Sequence, residues 1–169
     1  PWTHTPLCMT LGLGEVCTFT STEFARGRGI LIITSPNHAQ NISRLTAFLD
    51  AESYDNYDDN PAFIEAAIPG RGIGLRAELP IQLRERIMSF TPIVLFNYQP
   101  RHQASPEQRL QLEEMAIHQL GHHQQEHFFS LHRTSRDNQI DDIIKNNAFS
   151  YDDIGTDTEP LLSLVPEAV

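Results

Sequence analysis

The glycine-rich stretch "IPGRGIGLRAELP", Ile68 to Pro80, decides the fold, because glycine alternates with other residues at positions 70, 72 and 74. The apolar segment "AFIEAAI" precedes it, and "IGLRAE" reads as a second strand. A phosphate-binding P-loop would need Gly-Lys-Ser/Thr after the loop, and a dinucleotide-binding turn would need Gly or Ala at Leu75 and a helix afterwards. The sequence has neither, so it predicts two strands joined by a glycine turn.

The amino-acid composition limits the classes of partner that the chain is expected to bind. The chain carries 22 acidic and 12 basic residues, for a formal net charge of −10. This balance argues against nucleic acid as a partner and favours a basic, lysine-containing protein segment. No apolar run approaches the roughly 20 residues that a membrane-spanning helix needs, so a soluble chain without membrane association is predicted.

Cysteine usage is sparse. Cys8 and Cys17 are the two cysteines of the chain, which is too few for a disulfide framework or a four-cysteine zinc site. A reducing compartment is therefore the default expectation.

The upstream segment predicts a turn, a strand and a helix. Gly27 and Gly29 would form a hairpin turn that leads into the β-branched strand "ILIIT". Ser35-Pro36 has the residues of an N-cap and first helical position, opening a helix through about Phe48. Residues 1–18 predict no element.

The downstream segment predicts one strand and three helices. "RIMSFTPIVLF" reads as an apolar strand whose Pro92 suits a sheet edge or a bend. Ser105-Pro106-Glu107-Gln108 has the residues of a capping box and opens a helix to about Leu120, which Gly121 breaks. The further helices are expected at about His122–His132 and in "DNQIDDIIKNNAF", ending near Asn146.

A family resemblance accounts for this order. "AAIPGRGIGLRAELPIQLRERIMSFTPIVL" resembles the opening of the SET domain of protein lysine methyltransferases, where a strand, a Gly-x-Gly turn and a second strand precede an apolar strand with a proline. "RLQLEEMAIHQLGHHQQEHFFSLH" looks like the helical insert of the MYND-related branch, here without the MYND finger. "IIKNNAF" resembles the Asn-Ala-Phe signature, and "LLSLVPEAV" the strand before an Asn-His-x-Cys-x-Pro-Asn motif.

The resemblance implies an α+β fold. It covers about Ala62 to Val169 and implies part of a SET-type β-fold, with short strands, hairpins and a helical insert at about 105–146. Residues 1–61 would be a lead-in with a strand, a helix and the acidic linker 50–61. Residues 62–169 would be the N-terminal portion of the domain, with its C-terminal half missing.

The resemblance also implies a cofactor, S-adenosylmethionine. The backbone of Gly72, Ile73 and Gly74 would lie against it, because a Cβ would block close approach. Asn147 would be the cofactor-binding asparagine of the signature. The structural alternatives are a plain tight turn for the glycines and a helix C-cap for Asn147.

Several positions depart from the family pattern. Arg84 stands where glycine is usual, in a turn that would prefer positive φ, and Phe90 stands where an acidic residue is frequent. The chain stops at Val169, before the Asn-His-x-Cys motif and the catalytic tyrosine, and Tyr151 in its acidic surroundings is not a substitute. We therefore assign no catalytic residue and expect no methylation by this chain alone.

Two interpretations of function stay open. The first is a truncated SET-type protein lysine methyltransferase of the nucleus or cytoplasm. The second is a non-catalytic module that binds a basic protein segment with its acidic surface.

Histidines recur at helical spacing in the insert. His118 and His122 are four residues apart, and so are His123 and His127, which places each pair on one helical face. No third ligand is evident in the sequence, so we interpret these residues as helix surface with incidental metal affinity and assign no metal.

Overall fold

The chain folds as a mixed α+β protein with two compact units. The computed structural model describes residues 1–12, 14–49, 62–85, 87, 92–97, 104–135, 138–151 and 161–164. One unit comprises Pro1–Tyr54 with Thr91–Val169, and the other comprises Asp55–Phe90.

Within the described residues, the first unit holds a six-stranded sheet. Its strands are β1 Leu7–Leu11, β2 Gly14–Ser21, β3 Ile30–Thr34, β6 Val94–Asn97, β7 Ala148–Tyr151 and β8 Leu161–Leu164. Their order across the sheet is β1-β2-β3-β6-β8-β7. β3 and β6 run parallel, and the other neighbours run antiparallel.

Helices pack on both faces of this sheet. They are α1 Phe24–Gly27, α2 Pro36–Ile42, α3 Thr46–Leu49, α4 Pro106–Ile117, α5 His122–Ser130 and α6 Gln139–Asn147. Leu31 and Ile33 of β3 share a core with α4, α5 and α6, whereas Ile30 and Ile32 share a core with α2. Because both faces are covered, this strand is a continuous apolar run.

The predicted helix starts are confirmed. The Ser35 Oγ accepts a hydrogen bond from the His38 N–H at 3.3 Å, and α2 follows with Pro36 at its first position. The Ser105 Oγ accepts from the Gln108 N–H at 3.2 Å, while the Gln108 Oε1 accepts from the Ser105 N–H at 3.1 Å. Gly121 is the N-cap of α5, so it separates two helices as predicted.

Two element predictions need correction. The helix expected through Phe48 is interrupted, because α2 ends at Ile42 and the Ser43 Oγ donates to the Gln40 carbonyl in the turn that follows. The strand expected to run through Pro92 begins only at Val94, after a bend at Ile93. Of the two settings that suit this proline, the bend is confirmed and the sheet edge is not, since β6 lies between β3 and β8. Pro92 precedes β6, so the ladder loses no N–H donor.

The N-terminal hairpin β1–β2 was not predicted. Its strands carry many polar residues, and Thr18 and Thr20 of β2 are buried all the same. The Gln119 Oε1 accepts hydrogen bonds from both hydroxyls, at 3.0 and 2.8 Å. Because the Gln119 amide satisfies both hydroxyls, the two threonines can be buried without an unpaired polar group. The pattern of apolar residues in the sequence does not indicate such a contact.

A disulfide joins the two strands of this hairpin. Cys8 and Cys17 are opposite one another in the antiparallel register, with Cα atoms 4.0 Å apart. The sequence analysis did not anticipate the bond, because it did not predict the two strands. It ties β1, whose side chains are mostly exposed, to the more deeply buried β2.

The predicted division into residues 1–61 and 62–169 stays a prediction, and strands from both parts meet in one sheet. β3, from the predicted lead-in, pairs in parallel with β6, from the predicted SET portion. The proposed acidic linker 50–61 lies outside the described residues. No helix in the described part of the chain has the length and apolar character to cross a membrane.

Candidate functional site

The glycine turn lies in the second unit, where it joins two antiparallel strands. β4 comprises Phe63–Ile68 and β5 comprises Gly72–Ala77, with Ile68 opposite Gly72 in the register. The Arg71 N–H donates to the Ile68 carbonyl at 2.9 Å and closes the turn. Both predicted strands are therefore confirmed, with the glycines where the hairpin reverses.

Glycine is required by the backbone of this turn. Gly70 and Gly72 have φ values of 75° and 82°, in the left-handed region that residues with a Cβ rarely occupy. Among the described residues, apart from the neighbours in sequence, no atom lies within 4 Å of the position that a Cβ of Gly70 or Gly72 would take. The backbone at these two positions is therefore bare.

Gly74 is needed for a different reason. A Cβ there would stand 2.5 Å from the Cδ1 of Ile68, so the Ile68 side chain lies across the glycine. Ile68, Gly72 and Gly74 share one face of the hairpin, because residues opposite one another in the register point the same way. A ligand reaching Gly74 must displace the end of this flexible side chain, whereas Gly72 needs no such movement.

Ile73 points to the opposite face. Its side chain is 77% exposed and Leu75 on the same face is 45% exposed. Ile73 can therefore contribute its backbone to a ligand held on the glycine face, while its side chain forms part of an exposed apolar surface.

A second Gly-Arg-Gly-Ile sequence provides an internal comparison. Gly27 and Gly29, in the β2–β3 connection, have φ values of 87° and 78°, the same left-handed region as Gly70 and Gly72. The Gln124 side chain donates to the carbonyls of Gly27 and Arg28, at 3.2 and 2.6 Å. This copy is a turn that leads into a strand, as predicted, and the Gln124 side chain lies 3.3 Å from the Cβ position of Gly29 but not within 4 Å of that of Gly27.

Arg84 also has a left-handed backbone, with φ of 69°. The sequence analysis predicted a turn that would prefer positive φ at this position, with arginine strained in it. The prediction of positive φ is confirmed, whereas Phe90, the other departure, lies outside the described residues.

Asn147 is the last residue of α6. Its Nδ2 donates to the carbonyls of Ile143 and His132, both at 2.7 Å, so the amide group ties the helix end to the segment before the helix. Asn147 belongs to the first compact unit and the glycine turn to the second. The side chains of Phe149 and Tyr151 are outside the described part of the chain.

The segment beside Asn147 is fixed by an acidic side chain. The Asp142 carboxylate accepts from the N–H groups of Thr134 and Ser135, at 2.6 and 2.9 Å, and from the Thr134 hydroxyl at 3.0 Å. The hydrogen bond from the Ser135 N–H is the largest cause that lowers the pKa of Asp142, and those from Thr134 act in the same direction. This arrangement positions the carbonyl of His132 for Asn147.

Of the two predicted histidine pairs, the structure keeps His123 and His127 on one helix and places His118 and His122 at two different helices. His118 is the C-cap of α4 and His122 begins α5, with Gly121 between them. His123 and His127 lie together on α5, with their Nε2 atoms 3.3 Å apart.

Comparison of the chain with protein-family models, with curated proteins and with solved structures finds no match in any of the three. Function is therefore inferred from the residues and their geometry.

Proposed function

We propose that this chain supplies the S-adenosylmethionine-binding glycine turn of a SET-type protein lysine methyltransferase. The observation that carries the proposal is the open backbone of the turn: Gly70 and Gly72 have left-handed φ, and within the described part of the chain no atom beyond their sequence neighbours lies within 4 Å of their Cβ positions. Without a side chain at these positions a ligand can come close to the backbone, which any larger residue would prevent.

The order of elements supports the same proposal. The hairpin β4–β5 is followed by the apolar strand β6, the helices α4 and α5, and a helix that ends at the Asn-Ala-Phe sequence before β7. β8 contains the "LLSL" segment. This is the order that the resemblance to SET domains implies.

The cofactor would supply an electrophilic methyl group, and this chain's residues would hold it. The backbone of Gly72, Ile73 and Gly74 would support one side of it. A cofactor contact of Asn147 stays a prediction. Methyl transfer depends mainly on holding the lysine amine and the methyl group at attack distance. The net charge of −10 favours a lysine-rich protein segment as substrate.

Hydrogen–deuterium exchange tests the proposal on the purified chain. S-adenosylmethionine should slow amide exchange in the β4–β5 hairpin, because a ligand against the turn stabilises a two-stranded hairpin that is marginal by itself. ATP, which shares the adenosine but lacks the sulfonium, should give less protection.

Substitutions provide the control. Gly72→Ala and Gly74→Val should abolish the protection, whereas Gly29→Ala, in the glutamine-covered turn, should leave it unchanged. Protection of the hairpin by a lysine-rich peptide but not by S-adenosylmethionine would favour the alternative, a non-catalytic binding module. Protection that survives Gly72→Ala and Gly74→Val would contradict the proposal.

A further inference from the structure

The imidazole rings of two histidines on α5 lie next to one another, with their Nε2 atoms close together. His123 and His127 are one helical turn apart, their ring centroids are 4.4 Å apart, and their Nε2 atoms are separated by 3.3 Å. His123 is exposed and His127 is partly exposed, so an ion can reach both from solvent.

The separation of the two nitrogens fits a shared metal ion. With Zn–N bonds of about 2.0–2.1 Å, two nitrogens 3.3 Å apart subtend about 104–111° at the ion, which brackets the tetrahedral angle. Both rings would have to carry their proton on Nδ1 so that each Nε2 offers a lone pair. Neutral imidazoles reach this state by a change of tautomer, without any movement of the backbone.

The scaffold under the pair is fixed at several points. Phe128, directly after His127, is fully buried in the core. Gln124, next to His123, holds the carbonyls of Gly27 and Arg28. A site on a rigid helix loses little freedom when the ion binds, which favours affinity.

We propose that His123 and His127 form a bis-imidazole site for a divalent transition-metal ion of borderline softness, with Zn²⁺ matching the angle. Imidazole suits zinc, copper and nickel, and copper would bind most tightly by the general order of affinities. The chain supplies two ligands, and water or a donor from a bound molecule would complete the coordination. This site is independent of the cofactor proposal.

Neighbouring groups differ in ways that provide controls. His122 lies on the same helix, where its Nδ1 is 3.5 Å from the Glu126 carboxylate. The group of three potential ligands found among the described residues is Cys8, Glu15 and Cys17, in which the cysteines are joined to one another. Metal binding by thiolates is therefore avoided if no reductant is present.

Calorimetric titration of the full chain with Zn²⁺, without reductant, tests the proposal. One ion should bind per chain. His123→Gln and His127→Gln should each weaken binding at least tenfold, because the loss of a direct ligand should cost no less affinity than the loss of a group that only hydrogen-bonds to a ligand. His118→Gln and His122→Gln have the same chemistry and nearby positions, and they should leave the affinity within about twofold.

Nitrogen-15 spectra of histidine-labelled protein provide a second measurement that does not depend on a variant folding. Zn²⁺ should shift the Nε2 resonances of His123 and His127 together and leave those of His118 and His122 in place. Absence of saturable binding, equal losses in His118→Gln and His127→Gln, or shifts at Nδ1 in place of Nε2 would overturn the proposal.

Discussion

At the scale of single residues, the glycines of the two Gly-Arg-Gly-Ile sequences adopt the same backbone in different surroundings. Gly29 and Gly72 both have left-handed φ. The Gln124 amide lies 3.3 Å from the Cβ position of Gly29, whereas no atom of the residues that the structure describes, sequence neighbours aside, lies within 4 Å of that of Gly72. Local sequence therefore sets the turn, while a residue far along the chain decides whether the turn stays open.

Gly29→Ala should destabilise the first unit by about 1–2 kcal/mol, because alanine in a left-handed conformation is strained and its Cβ would press on Gln124. Urea unfolding measures the change. The control is Gly14→Ala, where no atom lies within 4 Å and φ is not left-handed, so the free energy of unfolding should stay within about 0.5 kcal/mol. Equal effects of the two substitutions would contradict this account.

The hydrogen bonds to the Asp142 carboxylate predict how the stability of the fold depends on pH. Hydrogen bonds from Ser135 and Thr134 lower its pKa below the value of about 3.9 expected in the unfolded chain. Its contribution to stability is therefore fully present above that value and is lost as pH falls through the lower folded pKa. A carbon-13 NMR titration should place the folded pKa below 3.9, and Asp142→Asn should remove this part of the acid dependence. A folded-state pKa of Asp142 at or above about 3.9 would contradict this prediction.

Sequence predicted the residue-scale features that depend on local backbone. A preference for positive φ was predicted at Arg84 and is present there. The contact of Gln124 with Gly27 did not follow, because these residues are 97 positions apart and no local pattern links them.

At the scale of elements, helix α4 was predicted well because its start is chemically specified. The reciprocal hydrogen bonds of Ser105 and Gln108 satisfy N–H groups that a helix start otherwise leaves unpaired. The break after α2 and the hairpin β1–β2 were missed. The first depends on one serine hydroxyl in a turn, and the second on threonines that are buried against Gln119.

Ser105→Ala should lower the free energy of unfolding by about 1 kcal/mol, since alanine offers no acceptor to the Gln108 N–H. Thermal unfolding followed by circular dichroism measures the loss. Ser105→Thr keeps a hydroxyl at the same position and should retain most of the stability. If Ser105→Thr proves as damaging as Ser105→Ala, the effect comes from packing and not from the cap.

At the scale of the whole molecule, the sheet joins segments that the sequence separated. The parallel pairing of β3 with β6 could not be predicted, because both are short apolar runs whose partners the pattern leaves open. The disulfide across β1 and β2 depends on the same kind of long-range information, namely which strands are neighbours and in which register.

Reduction of the disulfide should lower the free energy of unfolding by about 2–3 kcal/mol, as expected when a loop of this length is released in the unfolded chain. Urea unfolding with and without dithiothreitol measures the difference. The variant Cys8→Ala/Cys17→Ala should be insensitive to the reductant. Two free thiols in the untreated protein would show that the bond is not formed.

The central claim is that the open glycine turn binds S-adenosylmethionine, and selective nitrogen-15 labelling of glycine tests it most directly. The chain has nine glycines, so each amide resonance can be followed in a titration with the cofactor. We predict saturable shifts of Gly70, Gly72 and Gly74, with Gly29, which Gln124 covers, unchanged. Unshifted resonances at Gly70, Gly72 and Gly74, or equal shifts in both turns, would contradict the proposed cofactor site.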